Sequence, residues 1–192
     1  FVASIMVLPT LLYLGNVPIR IISFSTLKNP IALVKYLLVN RISIILITPT
    51  YAQKLAGKTG PFLKKVCVGS EPANHFHLKG LTNYNMYSQS ESGFIVSMFE
   101  IDKEYDVCPI GKPQFDLKYR IIDEEGNDVP TGEIGEFIFE NPYAREYINL
   151  PEESSKVFRD GYFYSGDLAQ VLPDGNLAIR GRKSDMIKIN GN

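Results

Sequence analysis

The first half of the chain alternates between helix-like and strand-like spacings of its apolar residues. Residues 5–14 and 30–40 carry apolar side chains three to four positions apart, which predicts two helices. Residues 19–24, 42–48 and 65–68 are short apolar or β-branched runs bounded by Gly, Pro or polar residues, which predicts strands. Helices that alternate with buried strands are typical of a layered α/β subdomain with a mainly parallel sheet.

From about residue 110 the pattern changes to short strands joined by turns. Residues 148–158 carry the pattern of a short helix, and Asp174-Gly175 between two apolar runs is a strong hairpin signal. Strands are predicted at residues 118–122, 135–139, 168–172 and 176–180. We therefore expect an α/β subdomain over residues 1–107, followed by a mostly antiparallel β subdomain over residues 108–192.

Two polar loops directly follow predicted strands of the first subdomain. Gly69-Ser70-Glu71-Pro72 follows the run at 65–68, and Tyr87-Ser88-Gln89-Ser90-Glu91 follows a strand predicted around Asn85. In parallel α/β sheets, ligands bind beyond the carboxyl ends of the strands. Both loops are therefore expected at the ligand-binding edge.

The charge and hydropathy of the chain exclude some classes of partner. Lys and Arg total 20 and Asp and Glu 21, so the formal net charge of -1 gives no global field for nucleic acid or an anionic membrane. The most apolar stretch, residues 31–51, is interrupted by Lys35, Asn40 and Arg41. It falls short of the roughly 20 apolar residues that a bilayer span needs. We expect neither nucleic acid nor a membrane as a partner.

The cysteines favour a reducing compartment. Cys67 and Cys108 lie far apart and lack the C-x-x-C spacing of a metal or redox motif, which suggests free thiols packed as small core residues. A cytoplasmic location is therefore expected. The chain also begins at Phe1 without an initiating Met, which is typical of a piece of a longer protein.

Four motifs occur in a fixed order. Taken alone, a Ser-Gly-Asp turn before a strand is weak evidence, because many folds use it for turn geometry. The ordered set is Asn85-Met86-Tyr87-Ser88-Gln89-Ser90-Glu91, Gly132-Glu133-Ile134-Gly135-Glu136, residues 161–168 with Tyr164-Ser165-Gly166-Asp167-Leu168, and Gly181-Arg182-Lys183-Ser184-Asp185-Met186-Ile187-Lys188-Ile189-Asn190-Gly191. This set resembles the adenylate-forming superfamily, which includes nonribosomal peptide synthetase adenylation domains, acyl-CoA synthetases and luciferases. Spacing and the stretch at residues 147–158 are most similar to the peptide-synthetase domains.

The resemblance implies a reaction and assigns nucleotide contacts. In the family, a carboxylate attacks the α-phosphorus of ATP to give an acyl-adenylate, and a thiol then takes the acyl group. The resemblance implies that Asp167 binds the ribose hydroxyls, that Arg182 adds a ribose or phosphate contact, and that Tyr87 stacks on adenine. A turn-forming Asp, a surface Arg and a core Tyr are the alternatives. Backbone against the adenine is expected from Gly69, Ser70 and Glu71, for which a bare strand-to-helix turn is the alternative.

The same resemblance assigns phosphate, metal and hinge residues. It implies that Ser90 lies beside the α-phosphate and that Glu91 binds Mg²⁺, a cation that prefers carboxylate and phosphate oxygen. Asp185 corresponds to the family hinge, and Lys188 follows in the same motif, with a solvated strand residue as its alternative. Ser88 departs from the usual glycine, which leaves the path of that loop open.

The pocket for the acid is expected to be apolar. Its lining, by alignment with the family, is Val2, Ala3, Met6, Leu46, Val66, Val68, Met86, Phe94 and Ile95. In amino-acid-activating members, the position of Val2 is an aspartate that pairs with the substrate ammonium. Burying an ammonium without a counter-charge costs several kcal/mol. We therefore hypothesise an acid without a free α-amino group, unless the alignment is shifted or another acidic residue compensates.

These expectations support one leading function and two alternatives. The leading one is part of an ATP- and Mg²⁺-dependent adenylation domain that loads a small carboxylic acid onto the phosphopantetheine thiol of a carrier-protein domain. An acyl-CoA ligase, with CoA as acceptor, and a non-catalytic nucleotide-binding module are the alternatives. The sequence contains no Gly/Ser/Thr-rich phosphate loop and no lysine-bearing C-terminal domain of the family, so we expect the piece alone not to catalyse adenylation.

Overall fold

The computed structural model describes residues 18–185, so the helix predicted at residues 5–14 lies outside the described residues. The α-helices are α1 (Phe24–Lys28), α2 (Pro30–Val39), α3 (Pro49–Ala52) and α4 (Pro151–Val157). Short 3₁₀ segments cover Gln53–Leu55, Ser90–Ser92 and Lys183–Asp185. No helix among the described residues is long and apolar enough to cross a membrane.

Local signals explain why α2 forms where the apolar spacing predicts it. The Asn29 side chain accepts hydrogen bonds from the backbone N–H groups of Ile31 and Ala32 at 3.0 and 3.2 Å, which caps the amino end. Pro30 stands at the start of the helix, where its missing N–H costs nothing. The buried Leu33 and Leu37, four positions apart, then pack the helix onto the first sheet.

The first sheet is mixed. Its strands are β1 (Ile44–Ile47), β2 (Lys65–Val68), β3 (Thr82–Tyr87) and β4 (Ser97–Ile101), in that spatial order. The pairs β1–β2 and β2–β3 are parallel, and β4 is antiparallel to β3. The predicted mainly parallel sheet and the predicted strands at 42–48 and 65–68 are confirmed.

The second sheet is antiparallel throughout. Its strands are β5 (Tyr119–Ile122), β6 (Ile134–Glu140), β7 (Phe158–Arg159), β8 (Tyr162–Val171) and β9 (Leu177–Arg182). The order is β5-β6-β8-β7, with β9 also paired to β8. The predicted antiparallel β region is confirmed, as is the hairpin around Asp174-Gly175, which joins β8 to β9. The predicted strand at 168–172 is the second half of the longer β8.

One predicted strand was wrong. Residues 19–23 form no strand, and α1 begins at Phe24. The side chain of Ser23 accepts a hydrogen bond from the backbone N–H of Thr26 at 3.2 Å, which caps a helix at the point where the apolar run predicts an extended chain. The local cap therefore prevails over the β-branched composition of the run.

Backbone hydrogen bonds join the two sheets. Ile110 donates its N–H to the carbonyl of Leu177 at 2.8 Å, and Leu177 donates to the carbonyl of Gly111 at 3.0 Å. A second bridge links Ser97 of β4 to Pro113. The segment 108–113 thus pairs with both sheets, and the proposed subdomain boundary at residues 107 and 108 stays a prediction.

Candidate functional site

A cavity of about 450 Å³ lies where the loop after β3 meets the second sheet. It falls within the range of small-molecule sites. Its lining residues are Ser70, Ser88, Gln89, Ser90, Glu91, Tyr147, Val157, Phe163, Tyr164, Ser165 and Arg182. Four of the predicted site residues, Ser70, Ser90, Glu91 and Arg182, are therefore brought together around one space.

Asp167 lies just behind this lining and is almost completely buried, with 6% of its surface exposed. Its Oδ2 accepts hydrogen bonds from the Tyr87 hydroxyl at 2.6 Å and from the Gln89 side-chain amide. Its Oδ1 accepts from Nη1 of Arg182 at 2.7 Å. The antiparallel register pairs Asp167 of β8 directly with Arg182 of β9. The sequence therefore folds these two predicted residues into one charged pair at the cavity wall.

Tyr87 combines a packed ring with a polar tip. The ring tilts against Phe137 of the second core at 5.8 Å between centroids. Burial and the neighbouring Asp167 carboxylate raise the pKa of the Tyr87 hydroxyl well above its ordinary value, so the phenol stays a donor at neutral pH. The core packing considered as the alternative for Tyr87 is thus observed together with its contact to the predicted ribose residue.

The turn that carries Asp167 is held by its own side chains and by β6. The Ser165 hydroxyl donates to the carbonyl of Phe137 at 2.6 Å and accepts from the N–H of Asp167 at 3.0 Å. Buried Glu136 accepts from the N–H of Gly166 at 3.2 Å and from Nζ of Lys183 at 2.6 Å. These contacts position Asp167 with little freedom of movement.

Glu91 lies on the 3₁₀ turn after β3 and is partly buried. Its Oε1 accepts a hydrogen bond from the Tyr147 hydroxyl at 3.0 Å, and its backbone carbonyl accepts from Nδ2 of Asn141 at 2.6 Å. Burial, and then the Glu91 carboxylate, raise the pKa of Tyr147. The predicted metal ligand is therefore held at both side chain and backbone by the loop that follows β6.

In the loop after β2, Ser70 lines the cavity, whereas the Glu71 side chain points to α3. A Cβ on Gly69 would lie 2.8 Å from the carbonyl oxygen of Met86, which explains the glycine. Ser70 adopts a left-handed φ of 67° and lines the cavity. Glu71 instead accepts hydrogen bonds from the hydroxyl and N–H of Thr50 at 2.6 and 3.3 Å. Its carboxylate therefore ties the loop to the start of α3 and does not line the cavity.

The residues predicted for the acid pocket do not share one surface. Val66 and Val68 are fully buried in the first core with α2, whereas Leu46 and Met86 alternate onto the opposite face of the sheet. Phe94 packs edge-on against aromatic rings of the second sheet and its following loop, Phe139 and Tyr143. Ile95 lies partly buried in the loop before β4. Val2, Ala3 and Met6 lie outside the described residues, so this pocket stays a prediction.

The predicted hinge lies at the limit of the described chain. Asp185 ends the 3₁₀ segment that follows β9, and Lys188 lies outside the described residues. The segment is anchored by the ion pair between Lys183 and Glu136. The hinge assignment therefore stays a prediction.

Comparison with known proteins places the chain. The family model described as "AMP-binding enzyme" matches residues 1–147. The chain belongs to this family of AMP-binding enzymes. The resemblance of its motifs to the adenylate-forming superfamily is thereby confirmed.

Relatives of this AMP-binding family member include a peptide synthetase and a CoA ligase. Nonribosomal peptide synthetase 7 of Aspergillus fumigatus is 33% identical over 161 residues, which are 79% of this chain and 7% of that protein. A medium/long-chain-fatty-acid–CoA ligase of Mycobacterium tuberculosis is 36% identical over 110 residues, 55% of this chain and 19% of that protein. The chain thus spans less than a fifth of the length of either relative.

The fold of the AMP-binding family member agrees with this placement. The crystal structure of an anthranilate CoA ligase in complex with anthranoyl-AMP superposes with a TM-score of 0.74 at 21% identity. The superposition covers 85% of this chain and 34% of that one. The α/β class, with a mixed first sheet and an antiparallel second sheet, is therefore the fold of adenylate-forming enzymes.

Three residues of the site had no role assigned from the sequence. Gln89 contacts Asp167, Tyr147 contacts Glu91, and Glu136 supports the turn before Asp167. Gln89 lies in the same motif as Tyr87 and Glu91, so its place on the loop after β3 was a usable signal. Tyr147 is 56 residues from its partner, and no local pattern marks such a contact.

Proposed function

We propose that this chain forms part of an ATP-dependent enzyme that activates a carboxylic acid as its acyl-adenylate and transfers the acyl group to a carrier-protein phosphopantetheine thiol. The observation that carries the proposal is the buried Asp167 carboxylate, which is held by Tyr87 and by Arg182, a residue that lines the cavity. A buried, pre-oriented carboxylate is a suitable acceptor for paired ribose hydroxyls. The membership in the AMP-binding family supports this assignment.

The residues around the cavity fit ATP and Mg²⁺. Arg182 supplies a cationic donor fork near one side of the cavity, while Ser90 and Glu91 supply oxygen atoms on the loop after β3. Mg²⁺ needs only one or two carboxylates when phosphate oxygens complete its octahedral shell. When bound, ATP supplies the electrophilic α-phosphorus and Mg²⁺ neutralises phosphate charge. The chain's own part is to bind the ribose, orient Glu91 and place Ser90 beside the phosphates.

The acceptor thiol separates the leading function from its alternative. Similarity to a peptide synthetase over 79% of the chain favours a carrier protein. The fatty-acid–CoA ligase matches over 55% of the chain, so CoA is the second candidate. Incubation of the natural full-length protein with ATP, candidate acids and either a phosphopantetheinylated carrier protein or CoA distinguishes them. Acyl transfer only to CoA would favour the ligase.

The ribose contact has its own test. We expect Asp167→Asn in the full-length protein to weaken AMP binding by roughly 10- to 100-fold, because hydrogen bonds to a charged group contribute about 1.5–3 kcal/mol. Isothermal titration calorimetry with AMP and acid-dependent pyrophosphate exchange measure the effect. Asp116→Asn is the matched control, since Asp116 is exposed and its φ of 52° suits asparagine.

Each outcome of that test is informative about the proposal. Equal AMP affinity for wild-type protein and Asp167→Asn would remove Asp167 from the ribose site. AMP binding by the wild-type protein without pyrophosphate exchange for any acid would favour the non-catalytic nucleotide-binding module. The expected result is that the wild-type protein catalyses pyrophosphate exchange and that only Asp167→Asn loses affinity for AMP.

A further inference from the structure

We propose that Tyr147 is a positioning residue that orients the Glu91 carboxylate for a divalent cation bound together with nucleotide phosphates. The proposal rests on the proposed function, because the cation is the one that accompanies ATP. Tyr147 reaches the cavity from the loop between β6 and α4, whereas Glu91 reaches it from the loop after β3.

The contact leaves one carboxylate oxygen for the cation. The Tyr147 hydroxyl donates to Oε1 of Glu91 at 3.0 Å, and both residues line the cavity. A carboxylate ligand whose one oxygen accepts a hydrogen bond from a fixed neighbour presents the other in a defined direction. Without this hydrogen bond, the Glu91 side chain could adopt several rotamers on its three-residue turn. The hydrogen bond therefore reduces the number of positions its free oxygen can adopt.

Tyr147 can orient its partner because it is itself held in place. Its backbone N–H donates to Oγ of Ser154 in α4 at 2.7 Å, and its ring packs edge-on against Phe158 at 5.7 Å between centroids. Asn141, at the other end of the same loop, donates to the backbone carbonyl of Glu91 at 2.6 Å. The loop thus fixes both the main chain and the side chain of the proposed ligand.

The geometry also explains why a tyrosine suits this position. The phenol is a donor to a carboxylate and brings no charge that would compete with a cation. A lysine or arginine at the same place would form an ion pair with Glu91 and oppose cation binding. Tyr147 therefore orients the Glu91 carboxylate without forming an ion pair that would compete with the proposed metal.

The test removes only the hydroxyl. Tyr147→Phe in the natural full-length protein keeps the ring against Phe158. Calorimetric titration of ATP at rising Mg²⁺, with no acid present and hence no turnover, measures how strongly the cation tightens nucleotide binding. We expect the Mg²⁺ concentration for half of the effect to rise about 10-fold or more, as for other residues that orient a metal ligand. AMP binding without Mg²⁺ should not change.

A matched control and a double variant separate positioning from general destabilisation. Tyr143→Phe alters a tyrosine of the same loop that is 71% exposed, and its Mg²⁺ response should equal that of the wild-type protein. Because Tyr147 acts through Glu91, Tyr147→Phe should not change the Mg²⁺ dependence of ATP binding in a protein that already carries Glu91→Gln. Additive losses in the double variant would overturn the proposal.

The outcomes distinguish this inference from the proposed function. An unchanged Mg²⁺ response of Tyr147→Phe, with normal AMP binding, would overturn the role of Tyr147 and leave the nucleotide site intact. Failure of the wild-type protein to bind AMP or ATP would overturn the proposed function and this inference with it. A rightward shift of the Mg²⁺ curve alone, at equal AMP affinity, is the result that supports both.

Discussion

Among the described residues, Tyr87, Gln89 and Arg182 each donate a hydrogen bond to the Asp167 carboxylate, which matters for a ribose. A carboxylate offers about four lone-pair positions, and Tyr87, Gln89 and Arg182 occupy three of them. Two ribose hydroxyls would need two positions, so one donor has to leave. Tyr87 is anchored by its ring on Phe137, and Arg182 carries a charge. Gln89 is neutral, and its amide also donates to the carbonyl of Ser165 at 3.1 Å, so it is the donor expected to leave the carboxylate.

Replacement of Gln89 tests this competition. Gln89→Met keeps the length of the side chain but removes the amide that donates to Asp167. Because a hydrogen bond contributes about 1 kcal/mol net, we expect AMP to bind roughly five-fold more tightly. Calorimetric titration with AMP measures the change. Weaker binding would mean that the Gln89 amide contacts the nucleotide and does not compete with it.

At the scale of residues, the sequence predicted which residues belong to the site better than it predicted their contacts. The order of the motifs indicated Asp167 and Arg182, and the register of two neighbouring strands then pairs them. The sequence could not indicate that the Gln89 side chain contacts Asp167, 78 residues away, or that the Glu71 side chain contacts Thr50. Such contacts depend on side-chain directions that only the packed chain determines.

At the scale of the elements, local signals predicted those that carry their own caps or a strong pattern. The cap and apolar spacing of α2 lie within its own sequence, and so do the alternating residues of β2. The two-residue β7 and the antiparallel β4 were not predicted, because both are defined by a partner strand. Tertiary pairing therefore supplied what periodicity could not.

The crossing from the first sheet to the second depends on Gly111. Its φ is 85°, and a Cβ there would lie 2.4 Å from the carbonyl oxygen of Met98 in β4. We expect Gly111→Ala to lower the free energy of unfolding by about 2–4 kcal/mol, because backbone strain adds to a clash that moves β4. Urea denaturation followed by circular dichroism measures the loss.

Gly126→Ala is the matched control for that substitution. Gly126 has nearly the same φ of 87°, but nothing lies within 4 Å of a Cβ at this position. It should therefore cost only the strain, about 1 kcal/mol. Equal losses for the two alanine variants would contradict the close approach of Gly111 to β4.

At the scale of the whole molecule, the chain crosses between two cores, and one of the crossings lies near residue 110. Cys108 belongs to the first core and Ile110 to the second, so the chain passes from one core to the other within three residues. The change of sequence pattern lies near this point, and the subdomain boundary at residues 107 and 108 stays a prediction. The placement of the cavity could not be read from the pattern, because its lining combines loops of the first region with a loop, a helix and two strands of the second. Folding of both cores is therefore needed to form the candidate site.

Cys108 gives the molecule an expected sensitivity to alkaline pH. Burial raises the pKa of its thiol from 9.0 to about 11, an effect partly opposed by the hydrogen bond from Asn85. Between pH 9 and 11 the unfolded chain loses this proton while the folded chain keeps it. The free energy of unfolding must therefore fall as pH rises, by up to about 1.4 kcal/mol per pH unit from this residue.

Removal of the thiol should flatten that dependence. Cys108→Ala abolishes the titration, so its free energy of unfolding should fall less steeply than that of the wild-type protein from pH 9 to 11. The difference in free energy of unfolding between the two proteins should stay constant below pH 8, where the thiol is protonated in both the folded and the unfolded chain. Urea denaturation followed by far-ultraviolet circular dichroism suits the measurement, because the chain has no Trp and its tyrosines begin to ionise at high pH. Parallel pH profiles would show that burial of Cys108 does not govern the alkaline response.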